Sequence, residues 1–90
     1  MQLGTVIGKV WATRKEEGLT GLKFLFVQPE DTEGAALASP LIAADRIGAG
    51  VGDKVIITCG SGARVVYDFQ QTPVDAVIIG IVDSIEHERG

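Results

Sequence analysis

The sequence predicts one small, mostly β domain: a five-stranded barrel with a short helical insert before the last strand. Three observations support this fold class. With 90 residues, the chain has room for a single domain, residues 1–90. Short apolar runs with many β-branched residues alternate with turns that contain glycine or proline, which is typical of strands in a small barrel. No repeat, linker or low-complexity segment interrupts this pattern.

The first two strands are predicted on either side of a charged turn at residues 14–18. Residues 3–13 combine large apolar side chains with two glycines, which indicates a strand with close backbone approaches. Residues 22–27 predict the second strand, which we expect to end before Pro29 because proline cannot donate to the ladder. Residues 30–39 are mostly polar or small and predict an exposed hairpin connection.

The third and fourth strands flank a glycine-rich segment. Residues 41–44 predict the third strand, and Lys54–Cys59, rich in β-branched side chains, predicts the fourth. Between them, residues 47–53 carry three glycines within five positions, which lets the backbone adopt positive φ and lets another chain approach closely. Cys59 ends the fourth strand and is predicted to be a small core residue.

The helical insert is predicted between the fourth strand and the last. Ser61 is placed to cap a short helical turn over residues 63–67, and Pro73 is placed to begin another brief turn. The last strand is expected to run from residue 76 to about residue 86. Five short strands with such an insert are typical of an OB-type barrel.

The composition predicts self-association. Hydrophobic residues make up 46% of the chain, and its mean hydropathy is +0.26. A domain of this size buries only about 60% of the surface that its unfolded chain exposes. The remaining apolar surface is expected to form a patch, and large exposed apolar patches usually mark an interface.

The charge and the apolar segments exclude several classes of partner. A net charge of −4 argues against nucleic acid, because nucleic-acid binders need a basic surface. The longest apolar stretch is far shorter than the about 20 residues that cross a bilayer, and the first residues lack a signal-peptide pattern. The single cysteine gives neither an internal disulfide nor a zinc-binding spacing. We therefore expect a cytoplasmic protein with no nucleic-acid or membrane partner.

The glycine clusters do not match nucleotide-binding motifs. Residues 4–10 are one residue short of a phosphate loop, and Val10 stands where a hydroxyl would bind magnesium. Residues 48–52 precede a strand, whereas a dinucleotide site needs a helix there. Ser61 lacks the first glycine of a hydrolase nucleophile turn, since Cys59 stands in its place. With no carboxylate pair or metal-ligand cluster either, we predict a non-enzymatic protein without catalytic residues, metal or cofactor.

The order of these segments resembles a known family. The match rests on residues 47–55, 60–64, 72–76 and 79–83, together with the opening at residues 3–13. They resemble the vertex proteins of bacterial microcompartment shells, the EutN/CcmL type found in ethanolamine-utilisation compartments and carboxysomes. The resemblance covers nearly the whole chain apart from residues 30–39. One departure is Gly62, where relatives often carry a second serine; glycine keeps the turn there but offers no hydroxyl.

The resemblance implies both a fold and a role. Members of the family are OB-like barrels that assemble as pentamers, with at least one hexamer-forming exception, and close an icosahedral shell at its vertices. Hexameric shell proteins are the implied partners, and the shell in the cytoplasm is the implied location. The residues implied at subunit contacts or the central opening are Gly48, Ala49, Gly50, Gly52, Gly60, Ser61, Gly62, Ala63 and Arg64.

Two alternatives stay open at this stage. Arg64 is either an exposed side chain paired locally or a donor to a neighbouring subunit's backbone or carboxylate. The whole chain is alternatively an OB-type module that binds single-stranded nucleic acid or another small ligand. Such a module needs a basic groove with exposed aromatic platforms, and both aromatic residues and positive charge are scarce here.

Overall fold

The structure is a computed structural model that describes residues 1–11, 23–60 and 76–86. These residues contain no helix and five strands, which close into a barrel in the order β1-β2-β3-β5-β4. The prediction of a five-stranded barrel is confirmed. The predicted helical insert falls within residues 61–75, outside the described residues. The strands are β1 Gln2–Val10, β2 Lys23–Glu30, β3 Leu41–Asp45, β4 Lys54–Cys59 and β5 Ala76–Ile81.

The core lies inside the barrel and follows the alternation of the strands. Successive side chains of a strand point to opposite faces of the sheet, and β2 shows this pattern because Leu25 and Val27 are fully buried while Phe26 between them is exposed. Burying one such aliphatic side chain contributes about 1.5–3 kcal/mol. The buried cluster consists of Val6, Leu25, Val27, Ala43, Ala49, Val55, Ile57, Ala76 and Ile78.

The last strand is buried on both of its faces. Ala76 and Ile78 point into the barrel core, so Val77 between them points outward, yet Val77 is also fully buried. Val77 pairs in parallel with Ala44 of β3, which is likewise buried. Burial on both faces explains why β5 begins with an unbroken apolar run instead of alternating with polar residues.

The second strand continues through Pro29 to Glu30, so the prediction that Pro29 ends it was wrong. β3 pairs with β2 only as far as Val27, so Pro29 has a strand partner on one side only. The Pro29 carbonyl accepts a hydrogen bond from the Leu37 amide at 3.0 Å, on the side away from β1. The missing amide of Pro29 faces that same side, and the ladder to β1 loses no donor.

The last strand ends at Ile81, five residues earlier than predicted. Its antiparallel partner β4 begins at Lys54, and the pairing of Val55 with Ile81 is the final one of the ladder. One further hydrogen bond joins the Val82 amide to the Lys54 carbonyl at 2.8 Å. Beyond this point β4 offers no partner, and a polar strand without a partner is not maintained.

Cys59 is exposed, and the prediction that it belongs to the core was wrong. It has the inward phase of Val55 and Ile57, and it pairs with the core residue Ala76. As the last residue of β4, however, it lies at the end of the barrel, where the core no longer covers it. The side-chain amide of Gln2 lies 3.4 Å from its Sγ atom.

The connection between β2 and β3 is an exposed hairpin loop, as predicted. Asp31 organises its tip, because its Oδ1 atom accepts hydrogen bonds from the Glu33 amide at 2.8 Å and the Ala35 amide at 2.9 Å. Residues 32–40 are all exposed. The loop therefore holds its shape through backbone bonds, the Asp31 carboxylate and the side-chain amide of Gln28, which donates to the Ala38 carbonyl at 2.7 Å, rather than through an apolar core.

Two glycines of β1 give a test of the packing. A methyl group at Gly4 would lie 2.6 Å from Val27 Cγ1 and 2.8 Å from the Gln28 carbonyl oxygen, and a backbone atom cannot easily move away. A methyl group at Gly8 would meet only Phe26 Cβ, at 3.8 Å. We expect Gly4→Ala to lower the free energy of unfolding by about 1–3 kcal/mol, and Gly8→Ala to change it by less than about 1 kcal/mol.

Urea unfolding at one fixed protein concentration measures both variants. Gly8→Ala is the control for the effect of adding a methyl group to the same strand. Equal stability of the two variants would contradict the described packing of β1 on β2.

Candidate subunit-contact surface

Residues 46–53, here called the glycine turn, join β3 to β4. Gly48 and Gly52 have φ values of +87° and +94°, in the left-handed region where side chains are strained. Gly50 is not in that region, and a Cβ atom there would meet only the Asp53 carboxylate at 3.9 Å. Two of the three glycines are therefore required by the turn itself, whereas the third leaves room for another chain.

A buried carboxylate fixes the first half of the glycine turn. The side chain of Asp45 is fully buried, and it accepts hydrogen bonds from the Ile47 amide at 3.1 Å and the Ala49 amide at 2.9 Å. Lys23 lies opposite Asp45 in the β2–β3 ladder. Its Nζ atom is 3.6 Å from Asp45 Oδ2 and donates to the Ala49 carbonyl at 2.9 Å. A buried charge needs such partners, because water no longer solvates it.

A second aspartate fixes the other half and attaches it to β1. The carboxylate of Asp53 accepts a hydrogen bond from the Gly50 amide at 2.8 Å, and the Asp53 amide donates to the Gly50 carbonyl at 3.0 Å. Val6 of β1 then holds the turn by two backbone bonds: its carbonyl accepts from the Gly52 amide at 2.8 Å, and its amide donates to the Asp53 carbonyl at 2.9 Å. The turn is thus a preformed part of the barrel.

The sequence-predicted contact residues fall into two groups. Gly48, Gly50 and Gly52 lie together on the glycine turn, and Ala49 between them has its side chain fully buried in this subunit's own core. Gly60, with a φ of +64°, follows the other end of β4. Six strand residues separate the two groups by about 20 Å. Ser61, Gly62, Ala63 and Arg64 lie outside the described residues.

Sequence reasoning missed the residues that shape this surface. Asp45, Lys23 and Asp53 were not singled out, although an aspartate three residues before the first glycine of a glycine-rich run is a recognisable turn signal. Lys23 has no comparable signal, because only the register of β2 on β3 places it beside Asp45. Sequence reasoning also gave no position for the exposed apolar patch that the composition predicts.

A second polar cluster ties three strands together on the outside of the barrel. The Thr5 hydroxyl donates to Glu30 Oε1 at 2.6 Å, and Lys54 Nζ lies 3.6 Å from the same oxygen. Thr5 pairs with Lys54 in the β1–β4 ladder, so the cluster follows from strand register. The cluster links β1, β2 and β4 and stabilises the barrel.

The described residues offer neither a metal site nor a membrane span. Among them, no three His, Cys, Asp or Glu side chains come close enough to hold an ion. Within the same residues, no helix has the length and apolar character needed to cross a bilayer.

The burial of Asp45 leads to a stability prediction. Asp45→Ala would leave the Ile47 and Ala49 amides without their acceptor and Lys23 without its ion-pair partner, so we expect a loss of about 2–4 kcal/mol in unfolding free energy. Asp31→Ala also removes a carboxylate that accepts two amide bonds, but in an exposed loop where water replaces it. We expect this control to cost about 1 kcal/mol or less. Thermal unfolding of both variants checks the difference, and equal losses would contradict it.

The sequence matches one family model over most of its length. Residues 1–83 match the model described as Ethanolamine utilisation protein EutN/carboxysome. Among curated proteins, the chain is similar to the carboxysome shell vertex protein CcmL of Synechococcus elongatus, with 48% identity over 99% of this chain and 90% of that protein. It is also similar to the microcompartment shell vertex protein PduN of Salmonella typhimurium, with 38% identity over 94% of this chain and 98% of that protein.

Solved structures of similar sequence have the same fold. The structure of the ethanolamine utilization protein EutN superposes with a TM-score of 0.91 at 37% identity, covering 97% of this chain and 91% of the other. The pentameric microcompartment shell protein GrpN from Rhodospirillum rubrum gives a TM-score of 0.86 at 40% identity, covering 98% of this chain and all of the other. The resemblance inferred from the motifs is thereby confirmed: the chain belongs to the EutN/CcmL family.

Proposed function

We propose that this chain is a vertex subunit of a bacterial microcompartment shell, and that five copies form the pentamer that closes an icosahedral shell at each corner. The observation that carries this proposal is similarity over nearly the full length to proteins named as shell vertex proteins. A solved structure described as pentameric has the same fold over 98% of this chain. The proposed role is structural and not enzymatic.

The mechanism is geometric. A shell layer made only of six-fold tiles stays flat, and five-fold units at its corners let it close. A head-to-tail interface whose rotation closes after five copies builds such a unit, and it requires two different contact surfaces on each subunit. The glycine turn and Gly60 at opposite ends of β4 are suited to this arrangement, because one subunit then presents different surfaces to its two neighbours.

The partners and the location follow from the same role. The outer rim of the pentamer would meet hexameric shell proteins, and the assembly would lie in the cytoplasm as part of the shell. Ser61 and Gly62 would border the central opening, where small side chains leave a narrow polar hole. Neither nucleic acid nor a membrane takes part in this role, and no observation favours the alternative of a ligand-binding OB module.

Native mass spectrometry of the purified chain tests the assembly. We expect a discrete species of five subunits, because the ring interface closes on itself and leaves no free contact surface. Dilution should release monomers without larger intermediates accumulating. A chain that is folded and monomeric at micromolar concentration would contradict the proposed function.

A substitution in the glycine turn tests where the subunits meet. Gly50→Trp adds bulk at a position where the turn itself has room, so we expect the fold to remain and ring formation to weaken by about ten-fold or more. Thr32→Trp adds the same bulk to the exposed hairpin loop between β2 and β3 and is the control. Size-exclusion chromatography measures the size of the oligomer, and circular dichroism shows whether the variant keeps its β-sheet content. Unchanged rings in Gly50→Trp would place the glycine turn away from the contacts.

A further inference from the structure

The outer face of the barrel carries a continuous row of exposed apolar side chains, here called the apolar strip. Its members are all exposed, although to different extents: Val51 60%, Ile42 52%, Ile7 47% and Phe26 36%. Scattered apolar residues on a surface are ordinary, but a contiguous group marks an interaction site. The four residues are contiguous because a bulge, the strand register and the glycine turn bring them together.

A bulge in β1 starts the strip. The pairing with β2 shifts between Val6 and Gly8, so Ile7 is an extra residue without a partner. Val6 points into the core and Gly8 lies opposite the outward-facing Phe26. The bulge therefore places Ile7 and Gly8 together on the outer face, where regular alternation would have allowed only one of them.

Strand register continues the strip in one direction. Gly8 pairs with Phe26, and Phe26 pairs with Ile42, so the three residues form one row across β1, β2 and β3. Residues directly opposite each other on neighbouring strands have Cβ atoms about 4.5–5.5 Å apart. A Cβ atom at Gly8 would meet only Phe26 Cβ, at 3.8 Å, so the glycine leaves the outer face beside Phe26 open.

The glycine turn continues the strip in the other direction. The Gly52 amide donates to the Val6 carbonyl at 2.8 Å, which brings the exposed Val51 beside the bulge at Ile7. The strip is thus continuous with the turn that we propose as a subunit contact. It extends that surface from one loop to three strands.

We infer that the apolar strip is the surface on which each subunit packs against the next copy of this chain. This inference rests on the proposed function. A closed ring needs a surface that is covered by a different surface of the neighbouring copy, and a solved protein that is similar over 98% of this chain is pentameric. The centre of such an interface is apolar, whereas its rim is polar. The apolar character of the strip therefore suits the centre of an interface with a second copy of this chain.

Two lysine substitutions test the inference. Ile42→Lys and Val51→Lys each place a charge at one end of the strip, and we expect each to weaken ring formation by about ten-fold or more. Leu37→Lys makes the same change on an exposed side chain of the hairpin loop and is the matched control. Sedimentation velocity across a dilution series measures the concentration at which rings dissociate. Circular dichroism tests whether the variant monomers are folded.

A milder change covers the case in which a lysine variant fails to fold. Ile42→Cys in a Cys59→Ser background should react with a thiol reagent much more slowly in the assembled protein than after dilution to monomers. Leu37→Cys in the same background should react rapidly in both states. Equal reactivity of the two thiols in the assembled protein would overturn the inference.

The possible results distinguish a failure of this inference from a failure of the proposed function. If the unmodified chain forms rings and both lysine variants still form them, the strip is not a subunit contact. If the variants form rings but no longer join hexameric shell proteins, the strip belongs to the tiles and the inference is wrong. If the unmodified chain is monomeric, the proposed function fails before the variants are compared.

Discussion

The surface of this protein depends on one buried carboxylate. Asp45 has no contact with water, so its charge is stable only while the amides of Ile47 and Ala49 and the ammonium of Lys23 surround it. These partners hold the start of the turn in the conformation described. The requirement to satisfy Asp45 therefore fixes the first half of the path from β3 to β4, and Asp53 and Val6 hold the second half through their own hydrogen bonds.

The barrel divides the apolar residues of the chain into two populations. Alternation sends one set into the core, and the bulge at Ile7 together with the register of β1, β2 and β3 gathers part of the other set on the outside. A small domain cannot bury all of its apolar side chains. The structure shows where some of the surplus lies, and the surplus is organised by the same strand pairing that builds the core.

Much of the fold was predictable from local sequence. All five strands, the exposed hairpin loop and the glycine turn follow from residue types and from the positions of glycine and proline. The errors have a common cause, because strand ends are set by partners rather than by the strand's own sequence. Pro29 is tolerated because the side of the strand that lacks its amide faces neither β1 nor β3. The strand β5 ends where its partner β4 begins. Cys59 is exposed because it lies at the end of the barrel, beyond the core.

The candidate site was predictable in part. Glycine spacing pointed to the turn, but neither the ion pair of Lys23 with Asp45 nor the apolar strip has a signature in the linear sequence. Both depend on which residues become neighbours when strands distant in sequence are paired. Ala49 illustrates the same limit: it stands between two glycines of the turn in the sequence, yet its side chain belongs to the core.

The closure of the barrel affects how copies of this chain can come together. Each strand of the closed sheet already has a neighbour on both sides along part of its length. Few backbone groups are then left to recruit foreign strands, and stacking into fibrils is disfavoured. Contacts between copies of this chain must therefore come from side chains and loops, rather than from strands added to one another's sheets.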